Sequence, residues 1–153
     1  MLFLSKAITT LFGAGYIKYG PGTVGSILTV FIWYSITSTL GQIYFFSLFI
    51  ILTISSYFLI EIYLSVFNKK DPQEIIIDEF IGISIPLLFI TSYHSYFEIL
   101  LVFVSFRIFD IFKIYPVNKA EILDGPTGII LDDVIAGIYS LIILLIFQII
   151  IKI

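Results

Sequence analysis

Asp132 and Asp133 stand side by side in Gly128-Ile129-Ile130-Leu131-Asp132-Asp133-Val134-Ile135-Ala136-Gly137, an otherwise apolar run. An ionised Asp at the centre of a bilayer helix costs roughly 2.5 to 3.5 kcal/mol, so paired acids in such a setting mark a place that binds something, most often a cation. The chain has no Cys and a single, distant His94, leaving hard oxygen donors. That donor set favours magnesium over zinc or copper. The plain alternative is a pair of acids in the early turns of a helix, where they interact favourably with its dipole, although two adjacent carboxylates exceed what that role needs.

Three further constellations carry charge or turn chemistry. In Lys69-Lys70-Asp71-Pro72-Gln73-Glu74-Ile75-Ile76-Ile77-Asp78-Glu79-Phe80-Ile81-Gly82, Pro72 suits the first turn of a helix capped by Asp71. Asp78 and Glu79 then fall about two turns in, pointing about 100° apart, with Gly82 clearing space one turn on. A shallow helix end with solvated acids would read the same way. In Phe106-Arg107-Ile108-Phe109-Asp110-Ile111-Phe112-Lys113 the three-residue spacing gathers Arg107, Asp110 and Lys113 within an arc of roughly 120°. Arg107 offers a fork for phosphate oxygens and Lys113 a compact charge; a structural Arg107 to Asp110 ion pair is the alternative.

The glycine-rich segment 13–26 runs from Gly20-Pro21-Gly22-Thr23-Val24-Gly25-Ser26 straight into an apolar stretch. Backbone N–H groups around Gly22, a helix N-terminus, and the Thr23 or Ser26 hydroxyl would seat a phosphate. A tight turn with a Thr N-cap is the ordinary reading, and the Gly-Lys-Ser/Thr order of a Walker loop is missing.

The elements that must position these groups follow from composition. The 153 residues are 59% hydrophobic and 12% charged, with a mean hydropathy of +1.12, whereas soluble domains carry roughly a quarter charged residues. This is the profile of a membrane protein built as one all-α domain over residues 1–153. A net charge of −3 supplies no basic field for nucleic acid. The absence of Cys excludes thiolate nucleophiles and disulfides. The first residues lack the pattern of a cleavable signal peptide. Apolar runs of spanning length lie at 24–40, 43–60 and 134–151, with less clean ones at 75–93 and 97–115. These predict a bundle of about five transmembrane helices with tight turns at 41–42 and 92–96 on one side. The longer connections 61–74 and 116–128 fall on the other. Lys6, Lys18, Lys69, Lys70, Arg107, Lys113 and Lys119 lie on or near the side of the long connections, and Lys152 opposite, so the acids and the glycine-rich segment face the cytoplasm. His94, beside Tyr93 and Tyr96, reads as an interfacial residue on the far side.

Taken in order, four pieces resemble the phosphatidylglycerophosphatase A family of bacterial membrane lipid phosphatases. They are Gly13-Ala14-Gly15-Tyr16-Ile17 with 20–26, Lys70-Asp71-Pro72 with 77–82, 106–113 with Pro116, and 128–137. The resemblance implies magnesium-dependent removal of the terminal phosphate of phosphatidylglycerophosphate, giving phosphatidylglycerol in the bilayer of the bacterial inner membrane. On that reading Asp78, Glu79, Asp132 and Asp133 hold the magnesium ion and Asp110 is a further ligand or orients water. Arg107 and Lys113, helped by the backbone around Gly22 and Thr23 and by Ser26, hold the phosphate. The rivals are a CDP-alcohol phosphotransferase, of whose acidic signature Asp124-Gly125 matches only the opening, and a non-catalytic ion-binding membrane protein or transporter. Polar residues clustered toward one face argue against a pathway through the bilayer.

Overall fold

The structure is a computed structural model that describes residues 1–68, 72–92, 94–120 and 123–151. Every regular element among these residues is helical: α1 Leu2–Thr9, a 3-10 turn Ala14–Tyr16, α2 Pro21–Thr39, α3 Gln42–Phe67, α4 Ile77–Leu87, α5 Tyr96–Phe112, α6 Val117–Ala120 and α7 Pro126–Ile151. Lys69, Lys70, Asp71, Tyr93 and Lys152, and with them the expected Asp71 cap, lie outside the described residues.

Local chemistry sets several boundaries. Gly20 adopts the left-handed conformation (φ +60°) just before Pro21 opens α2, a pairing suited to a helix start because proline presets φ and leaves no N–H unsatisfied. Thr23 is therefore a first-turn residue, and no side chain caps the helix. Gly125 (φ +75°) precedes Pro126 in the same way, so α7 starts well ahead of 134 and takes in Asp132 and Asp133.

Helix α4 forms the centre of the bundle, packing most extensively on α7 and also on α2, α5 and α3. Ile77, Phe80, Ile81, Gly82, Ile83, Ser84, Pro86 and Leu87 are all buried, so that beyond the acids of its first turn the helix is covered on nearly all sides, as its apolar sequence leads one to expect. Trp33, Phe45, Ile60, Tyr63, Val102, Phe106, Ala136 and Leu144 complete the core around it. At one end of the bundle the Gln42 amide donates to the carbonyls of Leu87 and Leu88 (3.3 and 3.1 Å). There Gln148 also donates to Phe89 O and Glu98 Oε1 (3.1 and 3.3 Å). The opposite end gathers the N-termini of α2, α4 and α7 and the C-terminus of α5.

Two glycines decide how closely α4 and α7 approach. A Cβ on Gly137 would overlap the Gly82 carbonyl, and one on Gly82 would sit 2.6 Å from the Asp133 carbonyl oxygen and 2.7 Å from the Phe106 ring. Small residues at such a contact let helix backbones touch, which is how helices associate closely in lipid. Gly137→Val is expected to cost at least about 1 to 3 kcal/mol through overpacking, read as a lowered unfolding temperature of the detergent-solubilised protein.

One expectation changes and another is met in part. The helix read from Pro72 begins only at Ile77, because the preceding backbone is engaged elsewhere: Ile76 N–H donates to Thr9 O (2.9 Å) and Ile75 N–H to Pro72 O (3.0 Å). Asp78 and Glu79 accordingly occupy the first turn of α4 and not its second. Of the five expected spans, α3 and α7 are long and apolar enough to cross a membrane, with 22% of each apolar window buried and the rest partly or fully exposed. Helix α4, with 11 residues, rises about 16 Å against a hydrocarbon core of about 30 Å. Helix α5 has 17 residues, the lower limit for a span.

Candidate active site

The N-terminal ends of α2, α4 and α7 and the last turns of α5 enclose a cavity of about 500 Å³ lined by Gly22, Asp78, Glu79, Arg107, Asp110, Lys113, Asp132 and Asp133. Residues from four distant stretches of chain thus meet in one place. Helix N-termini carry partial positive charge and unpaired N–H groups, so this end of the bundle suits an anion.

Carboxylate oxygens of Asp78, Glu79 and Asp133 lie within 4.8 Å of one another. Asp78 Oδ1, Glu79 Oε2 and Asp133 Oδ2 are buried and have no hydrogen-bond partner among the described residues. A buried carboxylate oxygen left unpaired is costly, and three together repel. One divalent cation would satisfy all three, and an all-oxygen donor set suits a hard ion such as magnesium or calcium. The arrangement therefore fits a metal centre.

Asp132 is placed differently from its neighbour. Its Oδ2 accepts from Lys113 Nζ (3.1 Å) and its Oδ1 from the Asp133 backbone N–H (3.0 Å). Successive helical residues point about 100° apart, so Asp133 faces α4 while Asp132 faces the end of α5. Three of the four expected ligands converge, and the fourth holds a lysine.

Arg107 Nη1 pairs with Asp110 Oδ2 at 2.5 Å, both side chains about one-seventh exposed, and also donates to Ser26 Oγ (3.4 Å). Ser26 in turn donates to Gly22 O (3.0 Å). Its hydroxyl thus stands behind Arg107, and neither Ser26 nor Thr23 lines the cavity. A Cβ on Gly22 would overlap the Glu79 carboxylate and lie 3.3 Å from Arg107 Nη1. Glycine there lets the first turn of α2 close against both groups.

The segment before α4 is held by contacts that no motif announces. Tyr63 Oη donates to Glu74 Oε1 (3.0 Å), Tyr16 and Tyr63 share a hydrogen bond of 3.3 Å, and a side chain on Gly15 would overlap the Glu74 carbonyl. Pro72, Gln73 and Ile75 of this segment also line the cavity. Tyr63 falls in the sequence within the connection expected at 61–74, which α3 in fact continues into as far as Phe67, whereas Gly15 belongs to the glycine-rich pattern.

A family model described as phosphatidylglycerophosphatase A matches residues 7–148, a range that contains every cavity residue named above. The chain belongs to the phosphatidylglycerophosphatase A family. It is 36% identical to phosphatidylglycerophosphatase A of Haemophilus influenzae, over 90% of this chain and 84% of that one. Identity to phosphatidylglycerophosphatase A of Escherichia coli is 34%, over 84% and 74%. A Bacteroides thetaiotaomicron protein named as a putative phosphatidylinositol-3-phosphatase is 34% identical over 93% of this chain and 92% of its own. No solved structure matches significantly. Membership of the phosphatidylglycerophosphatase A family makes the protein a phosphoric monoester hydrolase and sets aside the transferase and non-catalytic readings.

Proposed function

We propose that the protein removes the terminal phosphate of phosphatidylglycerophosphate to give phosphatidylglycerol, using magnesium held by Asp78, Glu79 and Asp133. The observation that carries this reading is the cluster of three buried carboxylates with unpartnered oxygens in a cavity shared with Arg107. Bound there, the ion supplies neutralisation of charge on the phosphoryl oxygens and activation of water. The chain's own groups do the positioning. Arg107 presents its guanidinium to the phosphoryl oxygens, held in orientation by Asp110 and Ser26. The first turn of α2, brought close by Gly22, adds backbone N–H groups and the favourable end of a helix.

The cavity lies at one end of an apolar bundle, as a headgroup-cleaving enzyme requires. Lys18, Arg107, Lys113 and Lys119 belong to segments at that end, which supports an active site facing the cytoplasm of the bacterial inner membrane, and the apolar α3 and α7 support a multi-pass arrangement. Ile111 and Leu123, both well exposed, flank the cavity and offer apolar surface beside it for the acyl chains.

A second headgroup is favoured by one observation, the Bacteroides relative named for phosphatidylinositol 3-phosphate. The two lipids share a pattern: a phosphodiester and a phosphomonoester on carbons one and three of a three-carbon unit with a hydroxyl on the middle carbon. Purified protein in detergent micelles is expected to release phosphate from phosphatidylglycerophosphate faster than from phosphatidylinositol 3-phosphate. Chelation by EDTA is expected to abolish release and added magnesium to restore it. Release that persists without divalent ions overturns the metal assignment, and no release from either lipid overturns the function.

A further inference from the structure

The cavity holds two cations at different depths. Arg107 and Lys113 both come from the end of α5, and six residues along a helix correspond to roughly 9 Å of axial rise. Arg107, with a side chain 14% exposed, lies against Gly22 near the Glu79 carboxylate. Lys113, 30% exposed, is held by Asp132 at 3.1 Å, and the exposed Ile111 and Leu123 line the same cavity. A phosphomonoester drawn to the carboxylate cluster and Arg107 has its own recognition there. In a lipid of the class proposed above, the phosphodiester always lies between that monoester and the acyl chains. It must therefore lie farther from the buried cluster than the monoester does, toward the more exposed part of the cavity, and of the two cations Lys113 is the more exposed. Six covalent bonds join the two phosphorus atoms, a span of roughly 7 Å when extended, given bond lengths near 1.5 Å. That span is of the same order as the axial rise that separates Arg107 from Lys113.

We infer that Lys113 binds the phosphodiester of the substrate headgroup while Arg107 binds the phosphomonoester that is hydrolysed, which makes Lys113 a specificity-determining residue that reads the distance between two phosphates. Asp132 holds the ammonium in position at the rim and yields it to the lipid phosphate. The inference rests on the proposed lipid phosphatase reading for the identity of the ligand.

The test uses two non-hydrolysable phosphonate analogues, one bearing a second, methyl-phosphodiester group three carbons away and one without it. Their binding to the full-length, detergent-solubilised protein in magnesium is measured by calorimetry. Wild type is expected to bind the two-phosphate compound about tenfold more tightly or better, an advantage that Lys113→Met reduces to less than about twofold and Lys113→Arg largely keeps. With the lipid substrate, Lys113→Met is expected to raise KM far more than it lowers kcat, the signature of lost substrate binding. Equal binding of the two compounds by wild type, equal weakening of both by Lys113→Met, or no binding of either overturns the inference. Failure to hydrolyse either lipid would instead strike the proposed function, so the two failures are separable.

Discussion

Asp133→Asn is expected to lower phosphate release from phosphatidylglycerophosphate by roughly 10³-fold or more while the protein stays folded and inserted. The substitution keeps the side chain's shape but replaces one carboxylate oxygen of the buried three-acid cluster with an amide that cannot serve as an anionic ligand. Asp133 Oδ2 has no hydrogen-bond donor among the described residues, and an amide can still bond the neighbouring Asp110 carboxyl that the acid meets. The unfolding temperature should therefore hold or rise as repulsion among the acids is relieved. Raised magnesium should recover part of the rate if the loss lies in ion binding. Asp132→Asn makes the contrast, since its carboxylate is engaged by Lys113 outside the cluster; its expected effect is much smaller. Equal losses in the two variants would restore the four-acid set. A near-normal rate in Asp133→Asn would remove that residue from the chemistry.

Arg107→Ala is expected to cost roughly 10² to 10³ in turnover, the scale of losing one preorganised group aimed at developing charge. Arg107→Lys should recover only part of this, because it keeps the charge and loses the planar fork. Arg107→Ala also strips Asp110 and Ser26 of a shared partner, and a buried group left unpaired costs about 1 to 3 kcal/mol. Thermal unfolding of both variants separates that structural loss from the catalytic one. A rate within a few fold of wild type in a folded Arg107→Ala protein would leave the phosphoryl group without its proposed clamp.

Much of the fold is legible along the chain because it depends on neighbours in sequence. Uninterrupted apolar runs make α3 and α7 long enough to cross a membrane, and Gly20-Pro21 and Gly125-Pro126 start helices where their backbone preferences dictate. The residue types in the four motifs likewise point by their own chemistry to phosphate and a hard cation. The start of α4 is different. Its N-terminal boundary depends on the Thr9 carbonyl, far away in sequence, taking the Ile76 N–H, and no local propensity encodes such a capture.

The division between chain and fold is sharpest at the adjacent acids. The sequence by itself determined that Asp132 and Asp133 sit on one apolar helix and point in different directions, a consequence of helical geometry alone. Only the tertiary structure decided which of them joins Asp78 and Glu79. That choice depends on how α7 is rotated against α4, and the rotation is set where Gly82 and Gly137 allow the two backbones to touch. Packing between distant segments selects one face of a helix over another, and periodicity cannot.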